Sequence, residues 1–448
     1  MADAPTVQKA TAWSRARELA QSTPETRNRY VDFLRAASIT VVVIGHWLAA
    51  APFYEHGTLE LGDLLHLVPQ TQWLTWVLQV MPLFFIVRGY ANGASWEAAL
   101  KGGHGYSQWI TMRLRRLVGP VVPLLLIWSV IAFSAHRFGV HPQMIMVGSQ
   151  VAFLPTWFLA VYLMVVVTTP ATYWAWRRFG MASFWGLAIG AVIVDTVAFT
   201  TGFHLLRWAN YAFIWLSVHQ LGYLWWHGRI SGPAQALPWA VGGLVALIFL
   251  VKVASYPISM ITVPGEEVSN SRPPTIMLLA LAAFHCGLVL SVEERVRRWL
   301  RRIGPWTATV FVNGTIMTFY LWHLTVMVLI IGLANLLGGV GLEFEPGTGI
   351  WWASRPIWIL VLAGFLMVFV AIFGRFEQMA KGTAAAPLPA WRALVGAASA
   401  CPGLAVLALT GIGSEGVLGI RINVIILVLI GAFLVLWSPG RRKVVQDS

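Results

Sequence analysis

Twelve apolar stretches of about 20 residues, each long enough to cross a bilayer as a helix, leave this chain few folds to adopt. They fall near 33–51, 72–95, 117–135, 151–174, 182–201, 209–226, 237–254, 276–292, 308–335, 351–374, 393–411 and 421–438. A segment in hydrocarbon must satisfy its own backbone N–H and C=O groups, which selects the helix over an open strand. The expected fold class is therefore all-α: a polytopic membrane helical bundle of about ten core transmembrane helices plus two C-terminal ones. An Ala/Pro-rich stretch from Gly382 to Pro389 sets off the last pair. The expected organisation is a cytoplasmic tail over 1–29, a membrane domain over 30–376, a linker over 377–392, a helix pair over 393–440 and a tail over 441–448. Thr23-Pro24-Glu25 reads as a helix start ahead of the first span.

The net charge of +13 would suit nucleic acid if it gathered on one soluble face. Instead Lys and Arg are dispersed through short connections, and no nucleic-acid partner is expected; the partner is the lipid bilayer. With the N-terminus inside, 23 of the 31 basic residues fall on the cytoplasmic side, among them Arg113, Arg115, Arg116 and the run Arg295 to Arg302. The opposite side receives Arg137, Arg207, Lys252, Arg272, Arg355 and Arg421. That asymmetry predicts an inner (plasma) membrane protein with both termini cytoplasmic. Cys286 and Cys401 offer neither a disulfide framework nor metal-ligand spacing, so no metal is expected.

Within the first span, the run Asp32-Phe33-Leu34-Arg35 to Gly45-His46 places a guanidinium and an imidazole eleven positions apart. Eleven steps bring a helix back to within about 20° of its starting direction and about 16 Å along its axis. Both side chains therefore share a face and are expected to line one common cavity open to the cytosol, and ionisable groups inside a span are functional candidates by default. A cation at the inner rim suits the phosphates of an acyl-CoA, while a deeper neutral imidazole suits proton abstraction or attack on a thioester. Snorkelling to the headgroups is the alternative for Arg35, and a helix-packing hydrogen bond the alternative for His46.

The same run resembles the signature of the acyltransferase 3 family of integral membrane acyltransferases, an Arg and a His separated by ten residues on the first membrane helix. Further blocks follow in order: Met81 to Tyr90, with Arg88 where that family usually carries Ser; Arg113 to Pro120; Thr156-Trp157-Phe158-Leu159; and Tyr320-Leu321-Trp322-His323. The resemblance covers residues 30–376. It implies transfer of an acyl group, usually acetyl, from cytoplasmic acetyl-CoA or another acyl-CoA to a hydroxyl of a cell-envelope glycolipid or polysaccharide. His46 would be general base or transient acyl carrier, with Arg35 as its catalytic partner. Arg35, Arg88, Arg113, Arg115 and Arg116 would hold the donor. Arg outnumbers Lys 26 to 5, which suggests a GC-rich, actinobacterium-like genome and a glycolipid acceptor.

Other polar residues admit two readings each. Arg88 suits a donor contact or a partner for Asp32, and Asp32 is spaced to orient Arg35. Asn313, Tyr320 and His323 share one face of the ninth helix, to bind substrate or to tie helices together. Trp157 is a candidate lining of the acyl tunnel. Asp195, His219 and His285 are given no catalytic role. A homodimer or an envelope-synthesis partner is compatible with the terminal pair. Twelve spans with buried charges also fit a secondary transporter or exporter of an envelope precursor, although the two halves show no matching pattern.

Overall fold

The computed structural model describes residues 12–382 and 387–437. Chain order is α1 (Ala12–Gln21), α2 (Arg29–Ala49), a hairpin of β1 (Ala50–Glu55) and β2 (Thr58–Asp63), then α3 (Leu64–Leu67), α4 (Thr75–Leu78) and α5 (Met81–Lys101). Next come α6 (Tyr106–Val118), α7 (Val121–Arg137), α8 (Pro142–Phe153), α9 (Thr156–Phe179), α10 (Met181–Thr201), α11 (Asn210–Trp226) and α12 (Pro233–Lys252). The chain continues through α13 (Ile276–Ser291), α14 (Glu293–Trp299), α15 (Ile303–Gly314), α16 (Ile316–Leu336), α17 (Gly349–Gly382), α18 (Ala390–Thr410) and α19 (Ile422–Leu436). The expected terminal tails before residue 12 and beyond 437, and the middle of the expected linker, lie outside the described residues.

The molecule is an all-α membrane bundle. Among the described residues nine helices are long and apolar enough to span, or ten if α13 and α14, bent by 53°, count as one. The twelve expected segments all contain helix, but α11 has 17 residues and carries Asn210, Ser217, His219 and Gln220, while α19 has 15. Outward faces such as Val241, Ile248 and Leu360 are exposed and aliphatic, as a lipid-facing surface requires. Inside, α5 and α11 meet at glycines: a Cβ on Gly89 would lie 1.9 Å from the His219 carbonyl oxygen, and one on Gly222 would lie 2.2 Å from that of Ile86. Small residues at such crossings let backbones approach where lipid supplies no hydrophobic drive for association.

Local chemistry explains three features around the site. Asn28 caps α2, its side chain accepting from the N–H groups of Tyr30 and Val31. At the other end of α2 the chain turns directly into the hairpin, whose two-residue loop His56-Gly57 has φ of 49° and 83°. Positive φ at both positions matches the twist of paired strands, and the apolar-segment reading did not foresee this element. Asp63 then caps α3 by accepting from Leu65 and His66 N–H.

The expected single helix over 308–335 is a correction. It breaks at Thr315, after Gly314, into α15 and α16. Glu377 of α17 accepts from both the backbone N–H and the hydroxyl of Thr318, each at 3.0 Å, so it satisfies a donor left open at the start of α16. The break moves Asn313 onto a different helix from Tyr320 and His323.

The terminal pair packs into the bundle instead of standing apart. Arg115 Nε donates to the Val435 carbonyl at 3.0 Å, Thr156 donates to the Leu404 carbonyl at 2.9 Å, and Gln150 donates to the Leu409 carbonyl at 2.8 Å.

Candidate active site

His46 and His323 form the central contact between α2 and α16. Their rings are nearly parallel at 8°, with His46 Nδ1 2.8 Å from His323 Nε2. The other ring nitrogen of His323, Nδ1, lies 2.7 Å from the Tyr320 carbonyl oxygen. A carbonyl only accepts, so Nδ1 of His323 carries the proton and its Nε2 is the acceptor. His46 must therefore donate through Nδ1, which leaves the lone pair of its Nε2 free. The arrangement is a relay of fixed tautomers that presents a basic nitrogen. Trp47 Nε1 donates to the His323 carbonyl at 3.1 Å, which ties α2 to α16 beside the pair, and Tyr320 donates to the Pro155 carbonyl at 3.0 Å.

His46 and Tyr320 lie on the wall of a cavity of about 820 Å³ at the end of the bundle covered by the hairpin and the 255–275 loop. Trp157 also lines it, beside Leu154 and Val151. The lining is mostly aliphatic, with the rings of Trp157, Tyr211, Tyr320 and Trp352 and polar residues that include Asp63, Gln79 and Arg272. Burial pushes the Asp63 carboxyl above the ordinary carboxylate range, against the opposing effect of the two N–H groups it caps.

A second cavity of about 560 Å³ lies at the opposite, basic end. It is lined by Arg27, Arg35, Arg88 and Arg116, with Asp32 and Glu377 as the acids. Asp32 receives Arg27 Nε at 2.6 Å and Arg35 Nη2 at 3.1 Å. Arg35 Nε donates to Asn313 Oδ1 at 2.7 Å, and Asn313 returns a bond to the Asp32 carbonyl at 2.8 Å. The guanidinium is thereby clamped from two helices. Arg88 lies 4.7 Å from the Phe84 ring centre and 5.0 Å from that of Tyr162. Its Nε is buried with no hydrogen-bond partner among the described residues. Asp32 makes its ion pairs with Arg27 and Arg35, not with Arg88.

Two of the other expected donor ligands sit elsewhere. Arg115 is turned onto α19 by its bond to Val435. Arg113 stacks on Trp109, with its charge centre 4.0 Å from that ring's centre, and donates to Ser95 and, at 3.4 Å, to Asn92 Oδ1. Asn92 in turn reaches His219 at 3.1 Å. On a helix with three arginines in four positions, they cannot all face one side. Asp195, held by Asn210 at 2.7 Å and the Ile276 N–H at 2.9 Å, and His285, 2.9 Å from the Trp76 carbonyl, tie loops and helices together.

Arg35 and His46 do not open onto one cavity, contrary to the expectation drawn from their shared face. The two cavities have no lining residue in common. Between them stands a layer of rings: Phe158 lies 4.8 Å from Phe84, 5.3 Å from Phe85, 5.7 Å from Tyr162 and 5.4 Å from Tyr320, centre to centre. Arg88 caps this layer from the basic side. Glu377 and Arg27, which complete the basic cavity, were missed in the sequence. Glu377 carried a legible signal, a single acid at the inner end of a long apolar segment. Among the described residues no group of three or more His, Cys, Asp or Glu is placed to hold a metal ion.

No curated protein and no solved structure matches the chain. A family model described as an acyltransferase domain matches residues 28–375, which takes in both cavities' α2 residues, the aromatic layer and the α16 histidine. The chain belongs to the acyltransferase 3 family and is a membrane acyltransferase.

Proposed function

We propose that this protein moves an acyl group, in the first instance acetyl, from cytoplasmic acyl-CoA to a hydroxyl of a cell-envelope glycolipid or polysaccharide. The basic end then faces the cytosol, and both termini lie there. The observation that carries the reading is the His46–His323–Tyr320 relay, which leaves one imidazole nitrogen of His46 unprotonated and available. Arg27, Arg35, Arg88 and Arg116 supply positive charge in excess of Asp32 and Glu377, which favours a polyphosphate headgroup. For the thioester to meet His46, the ring layer around Phe158 must part.

In the chemical step, His46 Nε2 takes the proton of the acceptor hydroxyl as its oxygen attacks the thioester carbonyl. The C–S bond then breaks, and the leaving thiolate takes the proton from the imidazolium. His323 holds the tautomer and shares the transient charge. The test is turnover of radiolabelled acetyl-CoA into envelope lipids and glycans by membranes carrying wild-type protein or His46→Ala. Loss of transfer by about 10²-fold or more, with expression and thermal unfolding unchanged, is expected of a general base. Wild-type turnover in that variant removes His46 from the mechanism.

A further inference from the structure

The region matched by the family model ends at residue 375, yet part of the lining of the His46 cavity comes from beyond it. Ala408 and Leu409, at the end of α18, line that cavity. Their position is built, not incidental. The Leu409 carbonyl accepts from Gln150 of α8 at 2.8 Å and from Arg272 of the 255–275 loop at 3.4 Å. Immediately after it, the N–H groups of Ile412 and Gly413 donate to Ser149 Oγ at 3.1 and 3.3 Å. Gly411, at φ 67°, fits so closely that a Cβ there would lie 2.4 Å from the same oxygen. The turn between α18 and α19 is thus locked onto α8, and α8 itself contributes Val147, Gly148 and Val151 to the cavity.

The cavity these elements enclose is an aliphatic channel with a reactive nitrogen toward its inner end. Its α16 wall runs from Tyr320 to Asn335, about 22 Å at the helical rise. Leu324, Met327, Val328 and Ile331 face it along that length. A free sugar gains nothing from such a wall, whereas burying methylene groups there is favourable. The volume lies within the range of small-molecule sites.

We propose that the end of α18 is part of an acceptor-selecting wall, and that the cavity it borders takes the hydrocarbon part of an amphiphilic hydroxyl acceptor. This rests on the reading that acyl transfer occurs at His46, and it names the acceptor class. Arg272 and Asp63 stand at the polar margin, where the head of an amphiphile meets water.

The test is photolabelling of the full-length protein in phosphatidylglycerol nanodiscs with hexadecyl glucoside carrying a chain diazirine, mapped by peptide mass spectrometry. Labels are expected on the α8 and α18 peptides that contain Val151 and Leu409, with excess unlabelled hexadecyl glucoside reducing them. Ala408→Trp, which intrudes on the channel from its α18 side, should lower labelling at least fivefold. Val395→Trp, at an exposed position of the same helix, should leave it unchanged. Should Ala408→Trp fail to fold, the wild-type map and its competition decide alone. Labels confined to lipid-facing surfaces, or labelling indifferent to Ala408→Trp in a folded protein, overturn the proposal. So does stronger labelling of the same peptides by a diazirine-bearing palmitoyl-CoA, which assigns the space to the donor chain. His46→Ala should retain the labelling, so an error about the wall is distinguishable from an error about the transfer chemistry.

Discussion

At the scale of single residues, the two partners of the relay have separable roles. In the proposed mechanism His323, which bonds His46 and does not line the cavity, acts as a positioning residue. His323→Phe removes the acceptor for His46 Nδ1–H and frees the wrong tautomer; we expect kcat to fall by about 10²-fold with little change in KM. His323→Gln offers an amide oxygen to the same proton and should recover part of that loss, which steady-state kinetics on the purified protein will show. A purely structural role predicts equal damage from both. Arg35 gives a different pattern. Its Nε and Nη2 are committed to Asn313 and Asp32 in a planar fork, which an ammonium cannot reproduce. Arg35→Ala and Arg35→Lys should both weaken acyl-CoA binding by about tenfold or more, the scale of one lost charge-assisted bond. Isothermal titration with a non-hydrolysable acyl-CoA analogue checks this, and tight binding by Arg35→Lys counts against it. The face shared by Arg35 and His46 was legible from their spacing alone. The partnership of His46 with His323 was not, because residues 277 positions apart meet only when α2 and α16 pack.

At the scale of elements, caps and crossings carry the stability arguments. Asp63→Ala removes the α3 cap and should cost about 0.5–2 kcal/mol. Asp63→Asn keeps a capping oxygen and removes a carboxyl whose ionised form burial disfavours. The wild-type penalty is absent below the unfolded value, grows as pH rises toward the raised folded value and is complete above it, so the asparagine variant should gain relative stability from acid toward neutral pH. Thermal unfolding in nanodiscs across that range measures the sign. Gly222→Ala drives a methyl into the Ile86 carbonyl, 2.2 Å away; the α5–α11 crossing has to open, at a cost of about 1–3 kcal/mol or more. Most helices were legible because apolar length and charged ends announce a span. The break at Thr315 was passed over although Asn313-Gly314-Thr315 interrupts the apolar run there, and Glu377, which bonds the start of α16, shows how it is tolerated.

At the scale of the whole molecule, the basic chamber and the aliphatic chamber are insulated from each other by the Phe158 layer. Water excluded from a thioester is hydrolysis prevented. Phe158→Ala should therefore raise acyl-CoA hydrolysis in the absence of acceptor and, through the cavity it leaves, lower stability by about 3–5 kcal/mol. Free thiol release measured beside thermal unfolding separates the two effects; a destabilised variant with wild-type hydrolysis shows that the layer is not a barrier. The sequence alone determined the helical class, the membrane setting and the residues of the family motif, because each is written in local composition, period or spacing. Tertiary structure decided which arginines face a common space, that His46 is oriented by His323, and that two chambers stand where one passage was expected. Those outcomes depend on the rotation and depth of helices far apart in the chain. Packing selects among them at the level of individual rings and glycines, which no pattern within one segment records.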